Sequence, residues 1–201
     1  FPYTTLFRSD KRTAIETAAV NLARHLNYRG AGTVEFLVDA ETFDFFFLEM
    51  NARIQVEHPV TEEITGVDLV EQQLLIADGN RLTLTQDMVQ ADGHAIEVRI
   101  NAESWANDFR PSPGTATHAA WPTGAGVRVD THMPRGGVVP PFYDSLVGKL
   151  IVRGATREEA VARLTAALDV LSIEGISTTA DLHRARPAAP SSETTNQPFR
   201  G

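Results

Sequence analysis

An α+β chain in two modules is what the sequence predicts. Three observations carry that expectation: apolar residues at helical spacing behind recognisable caps, stretches that alternate with a period of two, and a loss of both patterns near residues 80 to 92. At 201 residues, 42% hydrophobic and 22% charged, the chain has enough apolar surface for one or two cores and is not disordered by composition. No self-similarity at the scale of roughly 20 to 50 residues points to a repeat architecture.

In chain order, the opening FPYTTLFRS has neither periodicity nor a cap leading into the next segment. It matches the in-frame translation of a common short-read sequencing-adapter tail, so residues 1–9 are expected to be foreign to the gene. Ile15, Ala18, Ala19, Leu22, Ala23 and Leu26 then repeat at helical spacing, which predicts a helix over 11–28 with Gly30 as the glycine that ends it. The β-branched and aromatic runs Thr33 to Val38 and Phe45 to Asn51 flank the polar DAETFD and predict a hairpin.

Asp68 followed three residues later by Glu71 resembles a capping box and opens a helix over 69–78 that closes at Gly79. From His94 to Glu103 the chain alternates again, with Ile96, Val98 and Ile100 on one face and Glu97, Arg99 and Asn101 on the other. Short strand-like runs separated by Pro and Gly come next, up to Ile151 and Val152. Thr156 and Glu159 form a second capping box ahead of Ala160, Val161, Leu164, Ala167, Leu168 and Leu171. From Arg186 the sequence turns rich in Pro, Ser and Thr without periodicity, so 185–201 reads as an aberrant or disordered tail.

A formal charge of −8 argues against binding a phosphate backbone, so no nucleic-acid partner is expected. There is no cysteine, which excludes disulfides and thiolate metal sites and suits a reducing, cytoplasmic location. No apolar run approaches the roughly 20 residues that span a bilayer, and no membrane partner is expected.

The most informative stretch is EMNARIQVEHPVTE. Glu49, Asn51, Arg53, Gln55 and Glu57 alternate with Met50, Ala52, Ile54 and Val56, a strand pattern with one polar face running toward His58 and Pro59. A hairpin loop centred on residues 40 to 44 sets Glu35 opposite Glu49, with Asn51 on the same face. Two carboxylates and an amide oxygen are hard donors of the kind Mg²⁺ takes. A polar strand face is more commonly just solvated, though Glu opposite Glu would then cost a little through repulsion. Arg53 offers a planar fork for an anion with Gln55 beside it, and Glu57 could accept a proton there. His58 before proline reads as a turn residue. Arg99 reads either as the partner of Glu97 or as an anion clamp, and Asp144 with Lys149 as a structural pair.

Taken together, GAGTVEFLV, FLEMNARIQVEHPVTEEITGVDLVEQQL, EVRINAE, RPSPGT and PPFYDSLVGKLI, in this order and at these distances, resemble the biotin carboxylases, a family of ATP-grasp enzymes. The resemblance covers residues 11 to 184. It implies the C-terminal part of an ATP-grasp domain over 10–90, followed by the β-rich C-terminal domain of the family over 91–184.

It also implies roles. Glu35 and Glu49, assisted by Asn51, match the ligands of two Mg²⁺ or Mn²⁺ ions that bridge ATP phosphates, and Leu37 and Leu48 match apolar residues of the nucleotide pocket. Arg53, Gln55 and the Val56 backbone match the bicarbonate site. Glu57 matches the base that deprotonates bicarbonate for attack on ATP, giving carboxyphosphate. Arg99 matches the residue that stabilises the biotin enolate.

Implied substrates and cofactors are ATP, divalent metal, bicarbonate and carried biotin. Implied partners are a biotin carboxyl carrier protein or domain, a carboxyltransferase and a second copy of the chain, with Arg128 in a segment similar to one at the family's dimer interface. The parent would be an acetyl-CoA or related acyl-CoA carboxylase. The family's glycine-rich lid loop and its phosphate-holding lysines have no counterpart here, where Lys11 and Lys149 are the only lysines, so the chain alone is expected to be inactive. Two other readings stay open: a different ATP-grasp ligase, which would share Glu35, Glu49 and Asn51 but have no use for the Arg53, Gln55, Glu57 row, and a non-catalytic nucleotide- or partner-binding module.

Overall fold

The computed structural model describes residues 9–185. The opening peptide, residues 1–9, and the tail, residues 185–201, lie outside the described residues except for Ser9 and Ala185, which the structure places at the two ends of its helical elements. The chain forms two units: the described residues up to His58 with Asp68–Met88, and Pro59–Val67 with the described residues from Val89 on. Helix and strand are mixed in sequence as an α+β fold requires.

The first unit opens with α1, Ser9–His25. Its end differs from the sequence expectation. The Tyr28 N–H donates to the Ala23 carbonyl at 2.9 Å and the Asn27 N–H to the Arg24 carbonyl at 3.1 Å, with Asn27 at φ 49°, so the left-handed closing residue is Asn27 and not Gly30. Asparagine tolerates this conformation well enough to take glycine's usual place.

Strands β1 (Thr33–Val38) and β2 (Phe45–Asn51) then form the expected antiparallel hairpin. Its loop is organised by Asp39, whose Oδ1 accepts the N–H groups of Glu41 at 2.9 Å and Thr42 at 2.7 Å. Those backbone donors, Thr42 first, hold the Asp39 carboxyl below its ordinary value. On one face the Phe36 ring meets Phe45 and Phe47 edge-on, with centroids 5.5 and 6.4 Å apart.

The chain then corrects two expectations. The strand stops at Asn51, and residues 52–57 run as a bend and a turn even though their apolar and polar residues go on alternating. Alternation of residue type does not by itself keep the backbone extended: polar Gln55 is half-buried beside Ile54 and Val56, and apolar Ala52 is exposed. His58, read from sequence as a turn residue, begins helix α2 (His58–Thr65), and Pro59 sits in the first turn, where its missing N–H costs nothing. Helix α3 (Leu69–Ala77) starts as expected: the Glu71 N–H donates to Asp68 Oδ1 at 2.8 Å, and Gly79 ends it at φ 89°.

The second unit is built on a three-stranded antiparallel sheet in the order β3 (His94–Asn101), β10 (Leu146–Gly154), β8 (Val127–Thr131). Between β3 and β10 the chain also forms short strands β4 (Glu103–Ser104), β5 (Arg110–Pro111), β6 (Gly114–Thr115), β7 (His118–Ala120) and β9 (Val138–Val139). Helix α4 (Arg157–Val170) lies on one face of the sheet, followed by β11 (Ser172–Glu174), which pairs with β7, and α5 (Ala180–Ala185).

The α4 cap forms as its sequence promises. The Glu159 N–H donates to Thr156 Oγ1 at 3.2 Å, while Glu159 Oε2 accepts the Ala155 N–H at 2.8 Å. Strand and helix meet closely at Gly154, where any Cβ would lie 2.6 Å from the Ala160 nitrogen. Ile100, Val147, Leu150, Val152, Leu164, Leu168 and Leu171 form the core between sheet and helix.

The opposite face of the sheet is charged. Arg128 on β8 donates from Nη1 to Glu62 Oε2 of α2 at 2.8 Å and from Nε to Asp130 Oδ1 at 2.8 Å, and Lys149 Nζ lies 3.4 Å from Asp130 Oδ2. Lys149 thus pairs with Asp130, across the strand pair β10 and β8, and not with Asp144, which accepts the Leu146 N–H at 2.8 Å. Burial pushes the Asp130 carboxyl up, but the hydrogen bond and charge of Arg128, with Lys149, outweigh it and hold the carboxyl below its ordinary value. A depressed carboxyl contributes stability above its unfolded pKa, and that contribution fades as pH falls through the folded value.

Candidate functional site

The hairpin assembles the predicted row by a device the sequence does not display. From the loop, β1 and β2 pair as Val38 with Phe45, Leu37 with Phe46 and Phe36 with Phe47; the register then slips, and Glu35 pairs with Glu49. Leu48 is the extra residue of a β-bulge. Without it the loop-side register would put Leu48 opposite Glu35. With it the two carboxylates stand face to face as expected.

The polar row is one hydrogen-bonded chain within the first unit. Asn51 Nδ2 donates to Glu35 Oε1 and to Glu49 Oε1, both at 3.0 Å. Gln55 Nε2 donates to the same Glu35 oxygen at 2.9 Å, and Arg53 Nη1 donates to Gln55 Oε1 at 3.0 Å and to the Ile54 carbonyl at 3.1 Å. The bend after Asn51 is what folds Gln55 back onto Glu35, 20 residues away in sequence. A straight strand could not bring them together, because successive residues on one face move about 6.6 Å further along it.

Glu35, Asn51, Gln55 and Val56 are half-buried, whereas Glu49, Arg53 and Glu57 are exposed. Glu57 ends the turn before α2, whose start is fixed by the His58 Nδ1–H donating to the Gln55 carbonyl at 2.9 Å. Leu37 and Leu48, the expected nucleotide-pocket residues, are 58% and 50% exposed, and Phe46 beside Leu37 is 62% exposed. Arg99 is an exposed residue of β3 in the second unit, on the face opposite the core.

The donor set fits a magnesium-class ion. Like charges placed directly opposite each other cost free energy, and two carboxylates leave coordination positions for water and phosphate oxygens, the usual way Mg²⁺ is held. Asn51 and Gln55 point their NH₂ groups at the carboxylates; a half-turn of the Asn51 amide presents its oxygen on the same side and completes an all-oxygen set. Among the described residues no group of three or more His, Asp or Glu converges, so the donors these residues offer at this point are the two carboxylates and the amide.

Sequence reasoning missed α2. The pattern HPVTEEIT held the signal, with proline in the first turn and Val60 and Ile64 four apart.

Comparison with known proteins matches two successive segments of the chain. The signature of the biotin carboxylase C-terminal domain matches residues 97–196, and that of the carbamoyl-phosphate synthase L chain ATP-binding domain matches residues 2–85. The chain is 53% identical over 176 residues to a biotin carboxylase of Nostoc sp., covering 88% of this chain and 39% of the relative. It is 51% identical over 173 residues to a biotin carboxylase of Pseudomonas aeruginosa, covering 86% of this chain and 38% of the relative.

A solved dimer of the biotin carboxylase domain of Hydrogenobacter thermophilus 2-oxoglutarate carboxylase, in complex with MgADP, ADP and bicarbonate, superposes with a TM-score of 0.85 at 42% identity, covering 90% of this chain and 40% of that one. The chain thus spans about two fifths of the length of each of these three proteins.

Proposed function

The chain belongs to the biotin carboxylase family, and from that membership and the geometry of the row we propose that the complete protein carboxylates biotin on a carrier protein, using ATP and bicarbonate. The observation that carries the proposal is the continuous row Arg53, Gln55, Glu35, Asn51, Glu49. It puts an anion fork and a metal donor set in one hydrogen-bonded unit, as the transfer of a phosphoryl group to a small anion requires. A metal-dependent ligase with another acceptor would use Glu35, Glu49 and Asn51 and gain nothing from Arg53 and Gln55 locked to them.

In this reading Glu35 and Glu49, with Asn51, hold divalent cations, which when bound clamp the ATP phosphates and offset charge during transfer. Arg53, Gln55 and the Val56 backbone hold bicarbonate, and Glu57 takes its proton. A bicarbonate oxygen bonds to the γ-phosphorus as the bond to ADP breaks. The resulting carboxyphosphate splits at its carbon–oxygen bond into CO₂ and phosphate. The phosphate takes the biotin N1 proton, Arg99 stabilises the enolate, and N1 attacks CO₂. Leu37 and Leu48, exposed on the hairpin, face the nucleotide.

A carrier domain, a carboxyltransferase and a second copy of the chain are the partners this implies, in an acetyl-CoA or related acyl-CoA carboxylase. The absence of cysteine is compatible with a cytoplasmic setting, and no described helix is long and apolar enough to cross a membrane. The chain alone, with only two lysines and no glycine-rich loop, is expected not to turn over.

The test is ADP release by the complete protein with Mg²⁺, bicarbonate and biotin. Release that requires bicarbonate and is stimulated by biotin supports the proposal, and release indifferent to both removes it. Arg53→Lys keeps the charge and loses the fork. The loss of a charge-assisted hydrogen bond, about 1.5 to 3 kcal/mol, is expected to raise the bicarbonate KM by roughly 10- to 100-fold with little change for ATP. Equal effects on both substrates would remove Arg53 from the bicarbonate site.

A further inference from the structure

Strand β3 is the edge of its sheet, so one side of it has no strand neighbour. There the segment leading into α5 takes over the pairing. The Thr179 N–H donates to the Asn101 carbonyl at 3.0 Å, the Asn101 N–H donates to Thr179 Oγ1 at 3.0 Å, and the same hydroxyl donates to the Arg99 carbonyl at 3.0 Å. One turn on, the His183 Nε2–H donates to the Arg99 carbonyl as well, at 3.0 Å. Two side chains from one short segment thus converge on one backbone carbonyl, that of the residue expected to face the enolate.

The segment is itself held rigidly. Thr179 is 6% exposed and Ala180 3%. Arg184 donates from Nε to the Leu168 carbonyl at 2.9 Å and from Nη2 to the Leu171 carbonyl, capping the last turn of α4, and its Nη1 donates to Asp181 at 2.6 Å. On the other side of β3, Arg99 stands opposite Lys149, whose charge is drawn to Asp130 on β8. The Arg99 carbonyl is therefore held from the outer edge by Thr179 and His183, while the strand that carries it pairs with β10 on the other.

We infer that Thr179 and His183 are positioning residues for Arg99, fixing its main chain so that the guanidinium meets the biotin enolate in register. The inference rests on the biotin-carboxylating reading of the family site. An edge strand without such a clamp frays, and misplacing a catalytic group by about 1 Å can cost up to about 10²-fold in rate. Thr179 contributes the larger share, because its hydroxyl both accepts from Asn101 and donates to Arg99, whereas His183 makes one of the two bonds to that carbonyl.

The experiment uses the complete protein and two activities. In the proposed mechanism Arg99 acts only on the biotin enolate, so biotin-dependent ADP release is expected to need it, whereas bicarbonate-dependent ATP hydrolysis measured without biotin is not. Thr179→Val, which keeps the shape and loses the hydroxyl, is expected to lower the first by up to about 10²-fold and leave the second at the wild-type rate. Thr179→Ser restores the first. In an Arg99→Met background, Thr179→Val changes nothing further, because its effect passes through Arg99. If Thr179→Val does not fold, His183→Leu carries the same test, with a smaller fall confined to the biotin-dependent rate.

A parallel fall in both activities, or a Thr179→Val effect that persists without Arg99, overturns the inference. Wild-type protein whose ATP hydrolysis ignores both bicarbonate and biotin overturns the functional reading instead, and the inference with it.

Discussion

Glu57→Gln in the complete protein is expected to lower turnover by about 10²- to 10⁴-fold, the usual contribution of a positioned general base, while leaving Mg·ATP affinity unchanged. Bicarbonate attacks poorly until it loses its proton, and Glu57 is the carboxylate at the end of the row beyond Arg53 and Gln55. Glutamine keeps the size and hydrogen-bonding reach of the side chain and removes only its capacity to take a proton. ATP affinity is the control, because the proposed metal carboxylates are Glu35 and Glu49, joined through Asn51. Nucleotide titration and bicarbonate-dependent ADP release, measured on the same preparation, check it. A wild-type rate removes Glu57 as base, and a loss of ATP affinity would make it part of the nucleotide site.

The second large effect is on stability. Leu150→Ala is expected to destabilise the second unit by about 2 to 5 kcal/mol, the range for deleting a fully buried leucine. Leu150 is 0% exposed and sits on the central strand β10, opposite Val98 of β3 and Val129 of β8, within the cluster that includes Leu164 and Leu168 of α4. Val98, Val129, Leu164 and Leu168 all belong to strands or a helix, which limits how far the cavity can collapse. Urea unfolding followed by circular dichroism measures it, as a lower midpoint at constant slope. A change below about 1 kcal/mol would mean that the core repacks around the gap. Leu37→Ala, on the exposed hairpin face, provides the contrast, with little effect expected on this chain.

Much of this could be read from residues alone, for local reasons. The two capping signatures at Asp68 and Thr156 act over three residues, and in both the cap side chain accepts the N–H three residues on. The strands over 33–38 and 45–51 follow from β-branched and aromatic content. What stayed hidden depends on choices between near-equal local states or on distant partners. Asn27 rather than Gly30 closes α1, and both stand at positive φ, so residue type alone does not choose between them. The bulge at Leu48 leaves no mark on an alternating pattern, although it puts Glu49 opposite Glu35.

The row beyond Asn51 keeps its alternation while the backbone bends, so its residue types were legible and its path was not. The clamp on Arg99 joins residues 80 positions apart through one hydroxyl, and no window of sequence displays that. The same holds for Lys149, whose partner Asp130 lies on a neighbouring strand and not in its own turn.

The most direct test of the central claim is the fate of a bicarbonate oxygen. Oxygen-18-labelled bicarbonate is supplied to the complete protein with ATP, Mg²⁺ and biotin, and the released phosphate is analysed by mass spectrometry. Attack of bicarbonate on the γ-phosphorus predicts one labelled oxygen in each phosphate released. Phosphate that carries oxygen from water alone would contradict the account and leave the Arg53, Gln55, Glu57 row without its assigned substrate.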